Sequence, residues 1–305
     1  MRETQVNFYS EGEEISGILR TPDLGDGPFR AIVQGPGWMG LKDAKLYVRY
    51  HDAMTAAGFA VLIFDFRGFG DSGGRTDLVL PAMQLEDLTN AVTYLCSRKD
   101  IDSDNIGTFG SGATGGGNAI MLAAQDQRIG CAVSQVPVAD GEDWLHRMRR
   151  EHEWLAFLDR LAADRVARVT TGTGELVHPR EEIMVPAPER RATNVKGDVD
   201  GRTPTAVQLR SADAIMQYKP IDVVASIAPR ALMIVAVEGD AVTPTDHAID
   251  LYERAAAPKR LIMQRHTTHY AAYAHYGDEI VPGIVDWFDR HLRRGHLDVR
   301  EVLEG

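Results

Sequence analysis

Cysteine is scarce: two residues in 305, Cys96 and Cys131, exclude a disulfide framework or a cysteine-rich metal site. Both lie in apolar runs and read as buried free thiols, which fits a reducing, cytoplasmic setting. Positive charge is also short. With 33 Lys and Arg against 44 Asp and Glu, the formal charge is −11, and no cationic cluster of the kind that grips phosphate backbones stands out. No nucleic-acid partner is expected. No apolar run approaches the roughly 18 residues of a membrane span, and the first five residues, Met1 to Gln5, lack the apolar core of a signal peptide. No membrane partner is expected either. The histidines show no metal-ligand spacing, so the expectation is no metal and no other cofactor. What is present is an ordinary globular composition, 44% apolar and 25% charged, which supports a large core and argues against disorder. The expected partner is a small-molecule substrate, and a homodimer is compatible with the sequence.

Residues 5–21 alternate in β fashion about Glu11-Gly12, which predicts an opening hairpin. Strands over 30–34, 60–64, 106–109 and 130–135 then alternate with helices over 45–57, 82–97 and 116–124. Such alternation predicts right-handed crossovers and a mostly parallel sheet with helices on both faces. The rhythm breaks between about 140 and 210, where a helix pair over 144–168 gives way to Gly, Pro and charge over 170–204. In a doubly wound sheet an insertion there overhangs the carboxyl ends of the strands, so it is expected to form a helical cap. Its arginines, among them Arg147, Arg149, Arg150, Arg190 and Arg191, read as a solvated helix face, from which one could reach a substrate carboxylate. The rhythm resumes with strands over 231–237 and 260–264 and helices over 245–256 and 278–292. The expected organisation is a core over 1–139, a cap or lid over 140–210, and the rest of the core over 211–305.

The run Phe64-Asp65-Phe66-Arg67-Gly68-Phe69-Gly70-Asp71-Ser72-Gly73-Gly74 supplies glycines where a chain leaving a buried strand must turn tightly. It resembles the turn after the fourth strand of α/β-hydrolases, and the order of elements agrees with that superfamily over most of the chain. The resemblance implies an α/β-hydrolase fold: an eight-stranded, mostly parallel sheet, helices on both faces, and a helical cap insertion. Within the superfamily the chain looks like the dienelactone-hydrolase-like and acyl-peptidase-like serine esterases. Residues 106–117, Ile-Gly-Thr-Phe-Gly-Ser-Gly-Ala-Thr-Gly-Gly-Gly, are similar to the nucleophile elbow, where a strand turns sharply into a helix and presents one side chain. Counting forward from Gly110 puts the nucleophile position at Gly112; counting back from Gly115-Gly116 gives Gly112 or Ala113. Neither is a serine. Ser111 is the alternative nucleophile, although one residue before the tip its side chain should point into the sheet; Thr114 falls in the first helical turn.

The other two members of the triad follow in superfamily order. After the strand over 231–237, Asp240 in the turn Glu238-Gly239-Asp240-Ala241-Val242-Thr243-Pro244 resembles the acid, with Glu238 in reserve. His269 in Arg265-His266-Thr267-Thr268-His269-Tyr270 resembles the base better than His266, which lies nearer the strand end. For the oxyanion the resemblance implies the amide of Ala113 and one from the loop Gly35-Pro36-Gly37-Trp38; Pro36 has no N–H, so Gly37 or Trp38 must donate. Trp38, Trp144, Met148 and Tyr270 are the expected pocket walls. The function implied is serine-hydrolase chemistry on an ester, lactone, amide or C–C bond of a small molecule, in a form inactivated by glycine at position 112. The alternatives are a lyase, cyclase or isomerase that moves protons with His269 and Asp240, and a non-catalytic binding protein.

Overall fold

A strand buried on both faces needs an unbroken apolar run, and Phe59–Phe64, every residue of it buried, lies in the middle of the sheet. The structure, a computed structural model, describes residues 1–292. The first two strands, β1 (Arg2–Ser10) and β2 (Glu13–Thr21), form the expected antiparallel hairpin. They are followed by β3 (Phe29–Gly35), helix α1 (Val48–Ala56), β4 (Phe59–Phe64), α2 (Pro81–Cys96), β5 (Ile101–Ala113), α3 (Thr114–Gln125) and β6 (Ile129–Pro137).

Between β6 and the next strand of the main sheet the chain makes its excursion. It comprises α4 (Gly141–Arg147), α5 (Glu151–Thr171), the two-residue strands β7 (Leu176–Val177) and β8 (Val207–Gln208), α6 (Pro188–Ala192) and α7 (Arg210–Met216). The ends of its helices obey local rules. The Asp140 carboxylate accepts the Glu142 and Asp143 amides at the start of α4, and Gly172, with φ 78°, closes α5 in the left-handed conformation. The chain then returns to the core with β9 (Ala231–Val237), α8 (Thr245–Arg254), β10 (Lys259–Gln264), α9 (Ala272–His275) and α10 (Gly277–His291).

The main sheet has eight strands in the order β1-β2-β4-β3-β5-β6-β9-β10, and every pairing from β4 to β10 is parallel. Side chains from α1 and α10, such as Met54, Ile284 and Phe288, cover one face. Those of α2, α3 and α8, such as Leu88, Ile120 and Leu251, cover the other. From β3 the chain steps to β4 on one side; from β5 it runs through β6, β9 and β10 on the other. The carboxyl ends of β3 and β5 therefore flank the topological switch point, the place where this architecture opens a crevice.

Candidate active site

Four strand ends meet at that crevice: those of β3, β5, β9 and β10. At the end of β5 two successive residues have positive φ, Gly112 at 81° and Ala113 at 51° with ψ −108°, and α3 begins at Thr114. A side chain in that region costs on the order of 1–2 kcal/mol, so a non-glycine residue persists there only when the surroundings enforce it. The sharp turn thus lies at Ala113, the second position allowed by the count back from Gly115-Gly116 and one residue beyond the Gly112 of the forward count. The reason is tertiary: β5 stays paired with β6 through Ala113 opposite Pro137, so the strand runs longer than its apolar core suggests. Crowding fixes the neighbouring glycines. A Cβ on Gly115 would sit 2.7 Å from the Gly37 Cα, whereas one on Gly112 would meet nothing nearer than 3.7 Å. Ser111 is buried, and its hydroxyl is hydrogen-bonded to that of Tyr273 rather than to His269. Thr114 is buried at the start of α3.

Across the cavity the turn after β9 holds Asp240 with every oxygen lone pair employed. One oxygen accepts the amides of Val242 at 2.7 Å and Thr243 at 3.0 Å. The other accepts the Thr243 hydroxyl at 3.0 Å and lies 2.7 Å from the His269 Nδ1. The two side chains are 1% and 4% exposed. Burial pushes the Asp240 carboxyl up, but the charge and hydrogen bond of His269 and the two amides outweigh it and hold the group below its ordinary range. With Nδ1 committed to the carboxylate, Nε2 is the ring nitrogen available as a base. Glu238 is instead ion-paired with Arg265 at 3.3 Å on the surface, and His266 is exposed.

The loop after β3 lies directly on the elbow. Gly37 donates its N–H to the Tyr47 hydroxyl at 3.0 Å, and Trp38 donates its own to the Gly112 carbonyl at 3.2 Å. Both expected loop donors are therefore engaged in this conformation. With the turn at Ala113, the amide that follows it belongs to Thr114, in the first turn of α3, where amides have no intrahelical acceptor.

Gly112, Ala113 and His269 border one cavity, and Trp38 and Tyr270 line it too. Its free volume is about 20 Å³, room for a water molecule but not for a substrate. Trp144 and Met148, expected as pocket walls, line a neighbouring groove of about 700 Å³ instead, which shares Val242 with the cavity. Trp144 donates its indole N–H to the Val242 carbonyl at 2.8 Å and meets Trp38 edge-on, with 5.8 Å between ring centroids. The residues that close the cavity come from later in the excursion: Arg180, Met184, Arg190, Val195 and Lys196. Sequence reasoning missed four of them, since that stretch has no periodicity, and took Arg190 for part of a solvated face; its side chain is 13% exposed. Tyr47 and Tyr273 were missed as cavity walls; only the aromatic content of the histidine loop pointed to Tyr273. Among the described residues no His, Cys, Asp and Glu group suits a metal ion, and no helix is long and apolar enough to cross a membrane.

This sheet order, with an acid after β9, a histidine after β10 and a strand-to-helix elbow after β5, defines the α/β-hydrolase class. The family model for X-Pro dipeptidyl-peptidase (S15 family) matches residues 15–271, and the chain belongs to that family. It is 31% identical over 295 residues to an uncharacterized 31.7 kDa protein of the traX-finO intergenic region of Escherichia coli, covering 94% of this chain and all of that one. It is 25% identical over 285 residues to the thiohydrolase aneE of Aspergillus aculeatus, with 88% and 86% covered. Among solved structures, the α/β-hydrolase GrgF from Penicillium superimposes with a TM-score of 0.78 at 22% identity, covering 96% of this chain and 99% of that one. DcsB in complex with its substrate analogue gives a TM-score of 0.80 at 20% identity, with 95% and 99% covered. At such identities these structures speak for the fold alone.

Proposed function

We propose that this chain is an α/β-hydrolase for small acyl compounds, acting on an ester, lactone, amide or C–C bond, in which Ala113 occupies the place of the nucleophilic serine. The observation that carries the reading is His269, held by Asp240 through Nδ1 and bordering the same cavity as Ala113. In this mechanism a water takes the place of the serine hydroxyl. His269 Nε2 removes its proton, the hydroxide adds to the substrate carbonyl, and Asp240 stabilises the imidazolium that results. The Thr114 amide receives the oxyanion, with the Trp38 amide as second donor once it releases the Gly112 carbonyl. When the tetrahedral species collapses, the imidazolium returns its proton to the leaving group. Lacking a covalent intermediate, such a site works slowly, at the level that binding and oxyanion stabilisation alone sustain. The segment over 140–210 serves as the cap and has to open, since the closed cavity admits no substrate.

A fluorophosphonate probe read by intact mass tests this: the unmodified protein should stay unlabelled and Ala113→Ser should take one label. Labelling of the unmodified protein at Ser111 would overturn it. A second reading, proton transfer in a lyase, cyclase or isomerase, draws on the same fact that the dyad is complete without a nucleophile to serve. Its mark would be His269-dependent deuterium exchange at the carbon next to a bound carbonyl.

A further inference from the structure

The cavity walls carry charge of one sign. Arg180, Arg190 and Lys196 all line it together with His269, and no Asp or Glu does. All three basic side chains come from the stretch after α5; those of the two arginines are 11% and 13% exposed, and Lys196 is half-buried. One carboxylate, that of Asp200, bridges both guanidinium groups from behind the cavity wall. Arg180 also donates to the Met39 carbonyl at 2.6 Å, and Arg190 stands 5.8 Å from the centre of the Tyr270 ring, itself a cavity wall. Lys196 has a neutral partner: its amine donates to the Trp38 carbonyl at 3.1 Å. Burial first, and then repulsion from Arg180 and Arg190, lowers its pKa from 10.5 to about 7, with Asp200 and Asp198 opposing. Asp200 and Asp198 both act on these groups from outside the cavity lining, so within the cavity itself the basic side chains face no carboxylate, and a ligand's anionic group would be the partner they lack there.

We propose that the cavity takes a small molecule bearing a carboxylate, gripped by Arg180, Arg190 and Lys196, with its reacting carbonyl over Ala113 and His269. The proposal rests on the reading of His269 and Ala113 as the reacting end. The arginine pair already holds one carboxylate, that of Asp200, and a paired guanidinium fork suits a second planar carboxylate in the same way.

Glutarate and glutaramide, alike in length and different in charge, test it by calorimetry on the unmodified protein. Glutarate should bind at least tenfold more tightly, and Arg190→Met and Lys196→Met should each cost at least tenfold while Lys196→Arg retains binding. If Arg190→Met fails to fold because Asp200 loses one of its two guanidinium partners, Lys196→Met carries the test, since that amine donates to a neutral carbonyl. Equal affinity for the two probes, or glutarate binding indifferent to the variants, overturns the proposal; inorganic phosphate binding more tightly than glutarate overturns the carboxylate class. Ester hydrolysis by Ala113→Ser separates the two readings. If the variant hydrolyses nothing while glutarate still binds through Arg190, the hydrolase reading falls and the anion site stands. If it cleaves a 4-nitrophenyl half-ester of adipic acid and 4-nitrophenyl hexanoate with equal kcat/KM, the anion site falls and the hydrolase reading stands.

Discussion

The two sides of the cavity are built to different degrees of completion. On the β9 and β10 side, Asp240 has four hydrogen-bond partners and His269 is fixed against it. On the β5 side the backbone keeps the elbow in its strained turn, Ala113 at φ 51°, but presents only a methyl group. The difference separates two things that usually come together. The strained turn is enforced by strand pairing and by glycine contacts such as Gly115 against Gly37, so it stands without a hydroxyl at its tip. The contact between His269 and Asp240 depends on its own loops and not on that turn.

The largest expected effect comes from removing that asymmetry. Ala113→Ser should raise hydrolysis of 4-nitrophenyl acetate by about 10⁴-fold, since the base and its carboxylate are already in register. Gly112→Ser should gain nothing comparable, because the turn lies at residue 113; a larger gain from Gly112→Ser would restore the register expected from the glycine count. Next in size, Asp240→Asn in the Ala113→Ser background should take back about 10³-fold of kcat by losing the carboxylate that fixes the imidazole tautomer. An unchanged kcat would remove Asp240 from the mechanism.

A smaller effect concerns the basic wall. Burial holds the Lys196 amine at about 7, below its ordinary 10.5. Between those values the unfolded chain binds a proton that the folded chain does not, so stability rises with pH across the window and is lowest at and below pH 7. Lys196→Met should therefore raise the Tm most near pH 6, by the equivalent of about 2 kcal/mol after allowance for relaxation and partial exposure, and least near pH 10. The same gain at both pH values would show that the folded chain does not bury this charge. Smallest of all, Trp144→Phe should cost about 1 kcal/mol in urea unfolding by leaving the buried Val242 carbonyl without its indole donor. No change in the midpoint would mean that this bond between the groove and the turn carrying Asp240 has no net worth.

What the sequence determined by itself follows from short-range rules. The parallel sheet was legible because its strands are apolar runs separated by helix-length segments, and the hairpin because Glu11-Gly12 interrupts an alternating pattern. Asp240 and His269 were legible as candidates through the resemblance of their turns to the superfamily's acid turn and histidine loop, each following an apolar strand. Tertiary structure decided the rest. The glycine counts left Gly112 and Ala113 both open, and the choice depends on how far β5 stays paired with β6. The engagement of the Gly37 and Trp38 amides depends on the Tyr47 hydroxyl and the Gly112 carbonyl, groups distant in sequence. Most of all, the stretch after α5 folds without a hydrophobic period of its own. Arg180, Arg190 and Lys196 turn inward because Asp200, the Met39 and Trp38 carbonyls and the Tyr270 ring meet them there, and such long-range partners leave no mark on the local pattern.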